Sequence, residues 1–151
     1  KLGLSRTEGE DIALAEDLLT RMADNGADFT LTFRLLCDAA VDTVGDDALR
    51  RQFTAPATYD DWAARWRARL AQQGAAPDAV RAQMRAVNPL FIPRNHRVEE
   101  AIAAAVNGHD FTPFETLLTV LAAPYDEQPG REAYAQPPRP DQMVHTTFCG
   151  T

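Results

Sequence analysis

The sequence predicts an all-α fold, an irregular multi-helix domain with a proline-rich C-terminal tail packed over it. Three observations carry this. Apolar residues recur at three- and four-residue spacing in seven successive segments, helix caps and breakers punctuate them, and no stretch reads convincingly as a strand. The 151 residues, 45% of them hydrophobic, suffice for a packed core.

Thr7-Glu8-Gly9-Glu10 has the form of a capping box, followed by the stripe Ile12, Ala15, Leu18, Leu19, Met22 and a stop at Asn25-Gly26. Asp28 is placed to cap a second helix with the stripe Phe29, Phe33, Leu36, Cys37, Ala40, ending near Gly45. A short third helix is expected from Asp46 to Phe53, closed by Pro56. Thr58 is expected to cap the fourth, with Trp62, Trp66 and Leu70 on one face and Gly74 at its end. Pro77 suits the first turn of a fifth helix carrying Val80, Met84 and Val87, which Asn88-Pro89 breaks.

Leu90-Phe91-Ile92-Pro93 is an apolar connector too flanked by proline for a central strand. Asn95 is expected to cap a sixth helix with the stripe Val98, Ile102, Ala105, Val106, stopped by Asn107-Gly108. Thr112-Pro113-Phe114-Glu115 opens a seventh with Phe114, Leu117, Leu118 and Leu121, which Pro124 closes. Half of the 10 prolines fall between Pro124 and Pro140, leaving no room for a helix of any length. The expected organisation is one domain over 1–151, helical over 1–123 with an extended tail over 124–151.

The formal net charge of −7 argues against a nucleic-acid partner, which requires a basic face. No apolar run is long enough for a membrane span, and no leader opens the chain. Acids crowd the first third and are expected to form solvated helix surface, with a docking face as the alternative. Cys37 and Cys149 lie far apart, a pattern that suits a reducing, cytoplasmic setting. The start at Lys1 rather than Met is read as a cut from something longer.

The chemistry that is missing is specific. The 8 glycines are scattered and make no phosphate cradle, Lys1 is the only lysine, and Ser5 the only serine. His96, His109 and His145 have no metal-ligand spacing and are expected as surface or capping residues. The adjacent acid pairs at 46–47, 60–61, 99–100 and 126–127 point about 100° apart on a helix, so they do not form acid–base pairs. Asp61 precedes Arg65 by four residues, the orientation of a surface pair. In the cluster Trp62 to Leu70, the tryptophans are expected to pack inward while the arginines bridge to the acidic first third; an anionic ligand stacked there is the alternative.

Three stretches carry a family likeness: Asn88-Pro89-Leu90-Phe91-Ile92-Pro93-Arg94-Asn95-His96-Arg97-Val98-Glu99-Glu100-Ala101-Ile102, Pro137-Pro138-Arg139-Pro140, and the ending Thr147-Phe148-Cys149-Gly150-Thr151. With Lys1-Leu2-Gly3-Leu4, Ala27-Asp28-Phe29-Thr30, Trp66-Arg67-Ala68-Arg69-Leu70 and Pro124-Tyr125, they resemble the C-terminal region of the selenoprotein O family. That family is kinase-like and transfers AMP from ATP to protein hydroxyls.

The resemblance implies a C-terminal helical domain that supports a kinase-like part N-terminal to it in a parent enzyme roughly three times this length. ATP and Mg²⁺ would be held by that part, with proteins as substrates. No catalytic, cofactor or metal residue is carried over to this chain. Asn88, Pro89, Arg94 and Asn95 match the family pattern in structural roles: Asn88-Pro89 ends one helix, Asn95 starts the next, and Arg94 ties the connector to helix C-terminal carbonyls. Cys149 falls where the family carries a cysteine or selenocysteine and is the redox candidate, whereas Cys37 is expected as core. The alternative is a helical protein–protein interaction module without catalytic linkage, and a complete small enzyme is a third reading.

Overall fold

A computed structural model of the chain describes residues 1–6 and 8–144. Among these there is no strand. The α-helices are α1 Asp11–Asn25, α2 Phe29–Ala39, α3 Asp46–Arg50, α4 Pro56–Gln72, α5 Pro77–Arg85, α6 Asn95–Gly108, α7 Thr112–Leu121 and α8 Glu132–Ala135. A 3-10 turn covers Pro140–Gln142. The chain divides between Asn88 and Pro89 into two compact units.

In the first unit α1 begins at Asp11, so the expected box is displaced. Thr7 lies outside the described residues, and the acid that reaches back is Asp11, which accepts from the Glu8 N–H at 2.8 Å. Gly26, at φ 66, closes the helix in the left-handed conformation, and the Ala27 N–H reaches the Met22 carbonyl at 2.9 Å. The single predicted stripe is split: its Leu18 and Met22 are buried together with Leu14, which the stripe left out, whereas Ile12 and Leu19 face outward.

Asp28 caps α2 as the sequence predicts, accepting from the Leu31 N–H at 2.8 Å. The helix ends at Ala39, well before Gly45. Pro56 opens α4 instead of closing the segment before it, since its missing N–H costs nothing at N1. Thr58 therefore lies inside the first turn, donating to the Ala55 carbonyl at 2.7 Å. Trp62 and Trp66 are fully buried and stack with centroids 5.4 Å apart. Their indole N–H groups donate to the carbonyls of Leu14 at 2.8 Å and Leu2 at 2.9 Å. One glycine is dictated by crowding: at Gly3, φ 75, a Cβ would come within 2.6 Å of Val80 Cγ1 and 2.9 Å of Met84 Sδ.

The second unit has a small core of Phe91, Val120 and Ala135, with Leu90, Leu121 and Tyr134 packed on it. The connector is fixed by the N–H groups of Leu90 and Phe91, both donating to the Pro124 carbonyl. Asn95 is the first helical residue of α6 rather than its cap, which is Arg94. The helix stops one residue later than expected, with His109 and not a glycine in the left-handed conformation (φ 50). The acceptor at the start of α7 is Asp110, which receives the Thr112 N–H at 2.9 Å. Ile102, Val106, Phe114 and Leu118, expected to be inward, are exposed. Beyond Pro124 the only helical pieces among the described residues are α8 and the 3-10 turn. Ala135 of that stretch is buried in the core, so this part of the tail is packed.

Candidate functional site

The arginines of α4 lie along its flank and meet acids of the first third. Arg65 pairs with Asp17, not with Asp61. Arg69 holds both oxygens of Asp11, Nε at 2.8 Å and Nη2 at 3.0 Å, which keeps that carboxyl below the usual carboxylate range. Asp46, expected as a surface charge, is buried. It accepts from the Tyr59 hydroxyl at 2.6 Å and from Arg67 Nη2 at 2.5 Å. Arg67 also donates through Nε and Nη2 to the Ala39 carbonyl that ends α2. Burial, and then the Asp46 carboxylate, push the Tyr59 phenol well above its ordinary value. Its ring is fully buried, so the group faces no substrate and serves as an internal tie.

Asn88 is also fully buried, and its polar atoms are engaged. Its Nδ2 donates to the Lys1 carbonyl at 2.9 Å and contacts Cys37 Sγ at 3.7 Å. Its Oδ1 accepts from Lys1 Nζ at 3.2 Å, its N–H donates to the Met84 carbonyl, and its own carbonyl accepts from Arg34. The N-terminal segment, α2 and α5 thus converge on one side chain. Lys1 Nζ also donates to the Val87 carbonyl at 3.2 Å and sits 5.4 Å above the Phe33 ring. The one lysine of the chain is a cap on the carbonyl end of α5.

Cys37 Sγ is buried and donates to the Phe33 carbonyl at 3.4 Å. Burial pushes its thiol up, which makes it a poor nucleophile. Cys149 and His145 lie outside the described residues.

In the second unit Arg94 is buried and its Nη2 donates to the carbonyl of Ala135, the last residue of α8, at 2.8 Å. Arg97 adds a bond to the Ala133 carbonyl at 2.9 Å and covers the Tyr134 ring. Pro89 stands at the boundary between the units, and Asn95 is exposed. His96, expected on the surface or at a cap, is buried instead, with no hydrogen-bond partner for Nδ1 among the described residues. Burial, with Arg97 next to it, lowers its pKa and favours the neutral ring.

In these clusters the side chains bond to backbone carbonyls and to one another. Among the described residues no group of three or more His, Cys, Asp or Glu is placed to hold a metal ion. No helix there is long and apolar enough to cross a membrane.

The model of the family described as protein adenylyltransferase SelO matches residues 1–122. The chain belongs to the SelO family. Relatives named protein nucleotidyltransferase YdiU match all 151 residues: one from Nitrobacter winogradskyi at 54% identity and one from Bradyrhizobium diazoefficiens at 56%. A third, from Rhodopseudomonas palustris, is 54% identical. The match takes up 30%, 30% and 31% of these relatives, so this SelO chain spans less than a third of their length.

Sequence reasoning missed the Asp46–Tyr59–Arg67 tie and the burial of His96. Aromatic Tyr59 stands three residues before Trp62, on the same helical face. That spacing was the available signal that its hydroxyl needs an inward partner.

Proposed function

We propose that this SelO chain is the C-terminal helical domain of a protein adenylyltransferase. The kinase-like part, N-terminal to it in the parent polypeptide, binds ATP and Mg²⁺. There a Ser, Thr or Tyr hydroxyl of a protein substrate attacks the α-phosphorus; the bond to the β-phosphate oxygen breaks, pyrophosphate leaves and AMP stays on the hydroxyl. The observation that carries this reading is the family match over 1–122. The internal contacts of Lys1 and of Arg65, Arg67 and Arg69 fit a supporting role for this region. The pairing of Asp11, Asp17 and Asp46 within the fold weighs against the rival, an interaction module that docks through its acidic first third. The setting proposed for the enzyme is the cytoplasm.

The test uses the full-length polypeptide and residues 1–151 side by side, with α-labelled ATP and Mg²⁺. Label is expected on protein with the full-length polypeptide, and neither label nor magnesium-dependent ATP binding by calorimetry with 1–151. Micromolar ATP binding to 1–151, or a full-length polypeptide that labels no protein, overturns the proposal.

Cys149 is proposed as a redox handle on the parent enzyme, because it falls where the family it resembles carries a cysteine or selenocysteine, whereas Cys37 is buried. Under mild peroxide, mass spectrometry is expected to find Cys149 modified well before Cys37. Reaction at Cys37 first, or an unchanged redox response of the full-length enzyme carrying Cys149→Ala, would refute it.

A further inference from the structure

We infer that the apolar groove on the first unit, between α1, α2 and the N-terminal segment, is a docking site for an amphipathic segment of the same polypeptide from outside residues 1–151. The inference rests on the reading of this chain as one domain of a longer enzyme. Helix α1 carries more apolar surface than its own core consumes. Leu14, Leu18 and Met22 fill the core, yet Ile12 is 62% exposed and Leu19 43%. Across from them Phe29 at the start of α2 is 51% exposed, held against Phe33 with ring centroids 4.8 Å apart.

These side chains are contiguous. Leu4, Ile12, Ala15, Leu19, Phe29 and Phe33 line one groove of about 460 Å³. A continuous apolar surface with a polar rim marks an interaction site, unlike scattered exposed side chains. Charge narrows the occupant. Lys1 at one edge is consumed by Val87 and Asn88, whereas the Glu16 carboxylate at the rim has no partner among the described residues. A matching segment presents apolar anchors at helical spacing and a Lys or Arg at its polar edge. The source follows from length: more than two thirds of each relative lies outside the match, and a tethered segment enjoys a high effective concentration.

The experiment places a photocrosslinking phenylalanine analogue in the full-length polypeptide, in place of Leu19. A control carries it in place of Val44, which is exposed outside the groove. From position 19, crosslinks at monomer mass are expected to map to one segment outside 1–151, and Phe29→Glu is expected to cut their yield at least tenfold. From position 44, that segment should not be captured. Crosslinks only to a second copy, crosslinks only within 1–151, or none from position 19 would overturn the inference. AMP transfer by the same samples separates the two claims. A captured segment in a polypeptide without transfer leaves the groove standing and removes the proposed function, and the reverse pattern does the opposite.

Discussion

Replacing Trp66 with alanine is expected to destabilise the first unit by about 3–5 kcal/mol, the range for deleting a buried indole from a core that relaxes only in part. The side chain is fully buried, stacked on Trp62, and its N–H satisfies the Leu2 carbonyl at 2.9 Å. Removing roughly 150 Å² of apolar surface from the core at about 25 cal/mol/Å² gives about 4 kcal/mol, and the orphaned carbonyl adds about 1, at the upper end of that range. Trp66→Phe keeps most of the packing and loses the donor, so about 1–2 kcal/mol is expected. Both tryptophans lie in the first unit, so the fluorescence of Trp62 reports the urea midpoint of that unit alone in either variant. A loss below about 1 kcal/mol for the alanine variant would mean that α4 is not the spine of this core.

This inward face of α4 was legible because three large apolar residues four apart have no solvated alternative. The Asp28 cap and the Gly26 and Gly74 stops were legible for a similar reason, since each is settled within one turn of chain. The outward-facing side of α1 was not. Ile12 and Leu19 fit the same helical stripe as Leu18, and only the position of α4 against α1 decides which of them it covers. The same holds in α6 and α7, where Ile102, Val106, Phe114 and Leu118 look inward by period yet are exposed among the described residues. His109 was missed as a stop because a histidine takes a left-handed conformation less readily than the glycine beside it. The family-motif residues were legible as residues, while their partners were not. The contacts of Asn88 with Lys1 and of Arg94 with Ala135 bridge 87 and 41 positions, beyond any local pattern.

The Asp46 tie has the second large expected effect, and here the two donors respond differently. Asp46→Ala strands the Tyr59 hydroxyl, which is fully buried. Arg67, by contrast, is partly exposed and keeps its bonds to the Ala39 carbonyl. The expected cost is therefore about 2–4 kcal/mol, below that of breaking a wholly buried ion pair. Asp46→Asn retains an oxygen acceptor for Tyr59 but weakens the pair with Arg67, so roughly half that cost is expected. Alkaline pH isolates the phenol. Its folded-state pKa is raised above the ordinary 10.0, so the folded protein keeps a proton that the unfolded chain releases. The contribution is fully present below about pH 10 and lost as pH rises above it. Tyr59→Phe cannot ionise and is expected to show a shallower decline in urea midpoint between about pH 9.5 and 11. Parallel declines in the two proteins would show that Tyr59 ionises as readily in the fold as out of it, and that the tie to Asp46 does not exist in solution.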